Sequence, residues 1–204
     1  SRESVQPIID TFTKANKQVD HLNDSQLAEF LYDVWRSPFN KVAKKYKLSQ
    51  FLIDTVNTAV DGFELKIHLR PYEDYLQIHD LNAMKFLVST GHSTFQNQKI
   101  DLLGIRQDFD EIIIDALNLP NRPGKKHIFE QVLSKYQFRA DEVLVIGDNP
   151  DSEIKAGKAL GIKTVQIIRE GVIRSDLPDF HIIHIRQIKE IMGELDLMLH
   201  PNNH

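Results

Sequence analysis

The feature that most constrains this chain is a change of periodicity at Arg70-Pro71. Beyond it, short β-rich apolar runs alternate with stretches of helical spacing. The runs are Met84 to Ser89, Glu111 to Ile114, Glu142 to Ile146, Lys163 to Ile168 and His181 to Ile185. Helical patterns lie near Thr94 to Leu103, Lys126 to Tyr136, Ser152 to Leu160 and Gln187 to Leu195. Regular alternation of this kind predicts an α/β fold, a Rossmann-like doubly wound parallel sheet with helices on both faces. The run Val143-Leu144-Val145-Ile146 is apolar at every position, as a strand buried on both faces requires. Ligands of such sheets bind beyond the carboxyl ends of the strands, so those ends are where chemistry is expected.

Upstream of the change the spacing is helical. Val5, Ile8, Ile9, Phe12, Ala15, Val19 and Leu22 recur three or four apart, one stripe of an amphipathic helix. Ser25 is placed to cap a second helix carrying Leu27, Phe30, Leu31, Val34 and Trp35. Ser37 before Pro38 reads as another N-cap. Ser49 opens a helix through Phe51, Leu52, Val56 and Val60 that ends near Gly62. No strand is expected here. The predicted organisation is a small all-helical region over 1–69 followed by an α/β core over 70–204.

Composition narrows the class. With 204 residues, 41% hydrophobic and 26% charged, the chain is an ordinary globular one of one large domain or a domain and a module. A formal charge of -4 disfavours nucleic acid as a partner. No apolar run reaches the roughly 18 residues that span a bilayer, and no secretory leader is visible. Neither a membrane nor a nucleic-acid partner is expected, and the expected compartment is cytoplasmic. The absence of cysteine excludes disulfides, thiolate metal sites and cysteine nucleophiles.

Three strand ends or loops carry suggestive polar groups. Met84-Lys85-Phe86-Leu87-Val88 runs into Ser89-Thr90-Gly91; a hydroxyl at a strand tip followed by a glycine turn with free amides suits an anionic oxygen. Strands also end in Ser or Thr for local reasons alone. Arg122-Pro123-Gly124-Lys125-Lys126 precedes a helix containing Ile128, Phe129, Val132 and Leu133. Lysine at a helix start opposes the dipole unless an anion lies nearby, although two solvated surface lysines would read the same way. The third end is the most informative. Gly147-Asp148 closes the run from Val143, and Asp151 and Glu153 follow around the next turn. Carboxylates gathered so closely repel unless a hard cation binds, and oxygen ligands suit Mg²⁺. Helix capping by Asp151 or Ser152, with Glu153 in the first turn, accounts for those three but not for Gly147-Asp148.

Together these segments resemble the haloacid dehalogenase superfamily. Gly147-Asp148 with an acid at Glu153, then Ile154 to Val165, is similar to its fourth motif. Val88-Ser89-Thr90-Gly91 resembles the second, with Ser89 in the phosphate-binding hydroxyl position. Gly124 to Phe129 resembles the third, with Lys125 as its lysine and Lys126 as the fallback. Order and spacing fit from about Arg70 to Glu194, and the helical region resembles the cap of phosphoglycolate-phosphatase-like members. Many members carry Asp where this chain has Glu153, which keeps the charge and adds one methylene of reach.

The family's first motif, Asp-x-Asp-x-Thr with its nucleophile and general acid/base, does not occur in these 204 residues. Ile8-Ile9-Asp10-Thr11-Phe12-Thr13 is no match either: Phe12 falls on the apolar stripe and Asp10 is expected to be an exposed helix residue. Ser1-Arg2-Glu3-Ser4-Val5 resembles the continuation that follows the motif in the family, so the motif is expected just upstream. Its strand is central in the family, and without it two interior strands would present unpaired edges.

The resemblance implies a Mg²⁺-dependent phosphomonoester hydrolase of a small phosphorylated metabolite, working through an aspartyl-phosphate intermediate. Ser89, the Thr90 and Gly91 amides and Lys125 would hold the phosphoryl oxygens. Asp148 with Glu153 or Asp151 would orient Mg²⁺. The alternative is a catalytically inactive binding or regulatory protein that lacks the nucleophile; a halide-releasing dehalogenase would leave the acidic cluster idle. Other signals point elsewhere. Asn23-Asp24-Ser25 reads as a helix-cap turn, the nine histidines show no metal spacing, and His181 and His184 flank an edge strand. Trp35 reads as core of the helical region, and His200 to His204 as a frayed tail.

Overall fold

A computed structural model of the chain describes residues 5–19, 21–34, 39–119 and 122–199. The elements run α1 (Gln6–Val19), α2 (Asp24–Asp33), α3 (Phe39–Lys45), α4 (Gln50–Asp61), β1 (Phe86–Gly91), α5 (Ser93–Leu103) and β2 (Glu111–Ala116). They continue with α6 (Gly124–Tyr136), β3 (Leu144–Gly147), α7 (Lys155–Lys158), β4 (Lys163–Ile167), β5 (Phe180–Ile182) and α8 (Gln187–Leu199). Strand and helix alternate from β1 to β4, the α/β order expected from the periodicity, and β5 follows β4 directly. The expectations for Ser1 to Ser4, Trp35, Ser37-Pro38 and His200 to His204 lie outside the described residues. The chain divides into two compact units. One holds Ser1–Arg70, Ser89–Gln107 and Ile114–Arg122; the other holds Pro71–Val88, Asp108–Ile113 and Pro123–His204.

The first unit is built on helices α1 to α4. Most of the stripe that predicts α1 packs inward, with Phe12 and Ala15 buried, but Val19 is 44% exposed at the helix end and Leu22 lies beyond it; Asp10 is exposed, its carboxylate accepting from Gln6 Nε2 at 2.8 Å. Phe12 stacks on Phe30 with centroids 4.5 Å apart, and Tyr46 meets Phe30 edge-on at 5.5 Å. Leu52, Val56 and Val60 of α4 join this core, each such side chain worth about 1.5–3 kcal/mol of burial. The start of α2 differs from expectation. Asn23, not Ser25, is the N-cap: its Oδ1 accepts from Gln26 N at 2.9 Å while Gln26 Oε1 accepts from Asn23 N at 3.1 Å. This reciprocal pair satisfies two donors at once, which Ser25 could not do from inside the helix. Ser49 caps α4 as expected, accepting from Leu52 N at 3.4 Å. The segment after α4 is tied to α5 by Gln98, whose Nε2 donates to Phe63 O and whose Oε1 accepts from Leu65 N, both at 2.6 Å.

In the second unit β3, β4 and β5 form a parallel sheet in which Leu144 lies opposite Lys163 and Val165 opposite Phe180. Val165, Ile182, Ile188 and Ile191 make its core, sealing α8 against β4 and β5. β1 and β2 form a separate two-stranded sheet. Among the described residues β1 therefore pairs only with β2, and β3 only with β4. The expectation of β3 as a strand buried on both faces fails at Ile146, which is 38% exposed, because the described elements leave that position uncovered. β4 departs in another way: Thr164 and Gln166 are fully buried polar residues within it, and both have hydrogen-bond partners.

Candidate active site

The turn after β3 is shaped by one residue folding back. Pro150–Ile154 forms a single π turn, opened by Asn149, whose Oδ1 accepts from Asp151 N at 3.0 Å. The capping side chain is thus Asn149 and not Asp151 or Ser152, because Pro150 at the first position lacks an N–H and the amide of Asp151 is the first one free to be capped. The wide π turn carries Glu153 back toward the strand, where it is buried. Its Oε1 accepts from Asn149 N at 2.9 Å and its Oε2 from Lys125 Nζ at 2.6 Å. Gly147 makes this possible by close approach: a Cβ there would overlap Cγ and Oε1 of Glu153. Burial works to raise the Glu153 carboxyl, but the Lys125 ammonium and the Asn149 amide together hold it below the usual carboxylate range.

Lys125 lies in the first turn of α6, where its charge opposes the helix dipole. Glu153 offsets that: the two side chains are 15% and 9% exposed. Lys126 turns the other way, to Glu130 at 3.4 Å on the exposed face of α6. Asp148, at the end of β3, is exposed, and among the described residues its carboxylate has no protein partner. Its backbone is held instead. The buried Gln166 donates from Nε2 to Asp148 O at 3.1 Å and to Ile173 O at 2.9 Å, while its Oε1 accepts from Ser175 N at 3.0 Å. Asp151 is exposed on the same turn.

In the first unit, Ser89, Thr90 and Gly91 close β1, half-buried. Thr90 Oγ1 donates to Asp115 Oδ2 at 3.1 Å, and Thr90 O accepts from Gln96 Nε2 at 2.7 Å. Gly91 is required by that same glutamine, whose side chain a Cβ would overlap. Gly91 O accepts from Leu117 N at 2.9 Å, and Ser93 N donates to Asn118 Oδ1 at 3.0 Å. The structure thus joins Lys125 to Glu153 on the turn that carries Asp148 and Asp151, and holds Ser89 to Gly91 on a loop braced by the end of β2.

Mg²⁺ commonly keeps several waters and takes one or two carboxylates together with phosphate oxygens. The donor set fits a site of that kind: Asp148 offers hard oxygens at a strand end, with Asp151 beside it on the turn. Among the described residues no three His, Asp or Glu side chains gather into a metal-binding group, and both oxygens of Glu153 are engaged by Lys125 and Asn149. The chemistry available is therefore cationic and amide donors for an anion, and the carboxylates of Asp148 and Asp151 for a hard cation.

Sequence reasoning passed over three residues of this region. Asp115 ends the apolar run of β2 and is fully buried; a carboxylate closing a buried strand is the same signal that pointed to Asp148. Gln166 carried a weaker signal, a lone polar residue within an apolar strand. His92, the N-cap of α5, has both ring nitrogens buried without a hydrogen-bond partner. Its burial lowers its pKa, against the pull of the Asp61 charge. Nothing in its sequence surroundings marks it.

Two curated relatives are called glyceraldehyde 3-phosphate phosphatase. The protein from Methanopyrus kandleri is 28% identical over 138 residues, which cover 63% of this chain and 59% of its own length. The protein from Methanocaldococcus jannaschii is 28% identical over 137 residues, covering 62% and 58%. The chain thus matches less than two thirds of the length of either. Among solved structures, a HAD phosphatase from Thermococcus onnurineus superposes with a TM-score of 0.57 at 18% identity, covering 95% of this chain and 92% of that one. A 2-haloacid dehalogenase from Pseudomonas syringae gives 0.52 at 13% identity, covering 94% and 91%; both show a shared fold. The family model described as haloacid dehalogenase-like hydrolase matches residues 3–167, so the chain belongs to the haloacid dehalogenase-like hydrolases.

Proposed function

We propose that this protein hydrolyses a phosphomonoester of a small cytoplasmic metabolite, with Mg²⁺ as cofactor and an aspartate nucleophile that becomes phosphorylated. The Lys125–Glu153 pair carries this proposal. A lysine ammonium has three donors, and Glu153 fixes one of them, so the charge is held in place with donors left for a phosphoryl oxygen. The hydroxyl of Ser89 and the amides of Thr90 and Gly91 would take the other oxygens. Asp148, with Asp151, would hold Mg²⁺, which when bound supplies charge neutralisation for the phosphoryl group. Glu153 serves as the counter-ion of Lys125. The names of the two curated relatives support a small phosphorylated substrate.

The test is hydrolysis of p-nitrophenyl phosphate with and without Mg²⁺ by the full-length protein, which must supply the aspartate nucleophile that these 204 residues do not contain, and by its Asp148→Asn variant. Mg²⁺-dependent turnover that disappears in the variant is expected, and an unchanged rate in Asp148→Asn refutes the assignment. One observation favours a second reading: no Asp-x-Asp-x-Thr run occurs in the 204 residues. A full-length protein that binds inorganic phosphate but gives no turnover with Mg²⁺ is then a phosphate-binding regulatory protein.

A further inference from the structure

The loop that closes β1 is braced from one side by a charge pair whose acid is buried. Asp115, at the end of β2, is fully buried. Arg122 Nε donates to both of its oxygens at 2.9 and 2.8 Å, and Nη2 donates to Oδ2 at 2.6 Å. The same Oδ2 accepts the Thr90 hydroxyl at 3.1 Å. A carboxylate only accepts, so the Thr90 proton is committed to Asp115 and the hydroxyl cannot turn toward a ligand. The neighbouring ties point the same way: Leu117 N to Gly91 O, and Asn118 to both the amide and the hydroxyl of Ser93. A neutral acceptor such as asparagine could take one hydroxyl bond. It could not also seat a two-pronged guanidinium.

We propose that Asp115 and Arg122 are positioning residues that set the loop Ser89 to Gly91 for an anion through the Thr90 hydroxyl. Arg122 acts from behind Asp115 and does not itself contact the anion. This rests on the proposed function, in which that loop accepts phosphoryl oxygens. The bond geometry explains why charge is needed. The Arg122 fork stops the carboxylate from rotating, and the fixed carboxylate stops Thr90 from choosing another rotamer. A loop whose donors are already aimed loses less freedom when an anion binds.

The test is binding of inorganic phosphate to the full chain by isothermal titration calorimetry, with folding followed by circular dichroism. Variants are Ser89→Ala, Thr90→Val, Asp115→Asn, Arg122→Gln and Arg122→Lys. Losing one charge-assisted hydrogen bond is worth about tenfold in affinity. Thr90→Val, which keeps the side-chain shape, is therefore expected to weaken phosphate binding about tenfold with the fold intact. Asp115→Asn in the Thr90→Val background is expected to add little, because both act through one bond. Arg122→Lys is expected to fail to restore what Arg122→Gln loses, since lysine lacks the fork. Restoration of full affinity by Arg122→Lys means a direct charge contact and overturns the proposal, as does unchanged affinity in Thr90→Val. If Ser89→Ala binds like the parent, or the parent does not bind, the phosphate-loop assignment itself has failed. Loss in Ser89→Ala with no loss in Thr90→Val sinks the positioning role alone.

Discussion

Arg122 and Lys125 stand three residues apart, yet each is held by a buried acid of a different unit. In one unit Asp115 is wholly buried and grips a guanidinium that is 36% exposed through three hydrogen bonds. In the other Lys125 and Glu153 are 15% and 9% exposed and share one bond, the second oxygen of Glu153 going to the Asn149 amide. The difference is one of geometry. A planar fork seated on both carboxylate oxygens has little freedom left and is suited to bracing its surroundings. An ammonium tied at one point keeps donors for something else. Two similar charge pairs thus suit different tasks, and a charged residue beside a family motif need not touch the ligand.

The largest effect expected from breaking this contrast is on stability. Arg122→Met removes all three guanidinium bonds from a fully buried carboxylate and should lower the unfolding free energy by about 3–5 kcal/mol, measured by urea denaturation; a loss under about 1 kcal/mol would show that Arg122 is not what offsets the burial of Asp115. Lys125→Met should cost less, about 2–3 kcal/mol, because Glu153 loses one bond where Asp115 loses three. A cost matching that of Arg122→Met would erase the distinction between the two pairs. Gly147→Ala should cost about 1–3 kcal/mol by pushing Glu153 off its seat, and it should cost little more in the Lys125→Met background. Additivity in that double mutant would mean that the glycine serves something other than Glu153.

pH dependence separates the pairs further. The Glu153 and Asp74 carboxyls are held below their ordinary values, and that of Asp179 down to about 2 despite burial, by Lys158 and the amide and hydroxyl of Thr164. Depressed acids stabilise the fold above their unfolded values and lose that contribution as pH falls through the folded ones. For Asp179 the window runs from 3.8 down to about 2. His92 acts nearer neutrality. Its pKa is depressed from 6.5, chiefly by burial, so the neutral ring favours the fold above that value and the benefit shrinks as pH drops below it. His92→Phe should flatten the stability profile below about pH 6.5. An unaltered profile there would show that the ring titrates as it does in the unfolded chain.

Much of the architecture was legible because periodicity reports burial directly. Most of the stripe from Val5 to Leu22 became α1, with Phe12 inward, and the five apolar runs became five strands. What misled was local capping. Ser25 and Ser152 are good caps by type, but Asn23 and Asn149 hold those places, one because Gln26 reciprocates and the other because Pro150 leaves the Asp151 amide exposed. Burial of β3 on both faces was over-read at Ile146, since an apolar run states a preference and its neighbours decide whether it is met. In the candidate site, Ser89, Lys125, Asp148 and Glu153 were visible as residue types at strand ends and helix starts. Their partners were not.

By itself, then, the sequence determined the order of helices and strands, the absence of thiol chemistry and the positions where polar groups meet strand ends. These follow from spacing and composition, which act along the chain. Only the tertiary structure decided that Lys125 and not Lys126 meets Glu153, that Glu153 faces a lysine, and that Asp115 joins Thr90 to Arg122. Those pairings bring together residues 7 to 28 positions apart, and the chain between them carries no local mark of which charge will find which. Desolvation makes the choice: a buried charge is tolerated only beside its partner, so packing selects the pairs that the linear pattern leaves open.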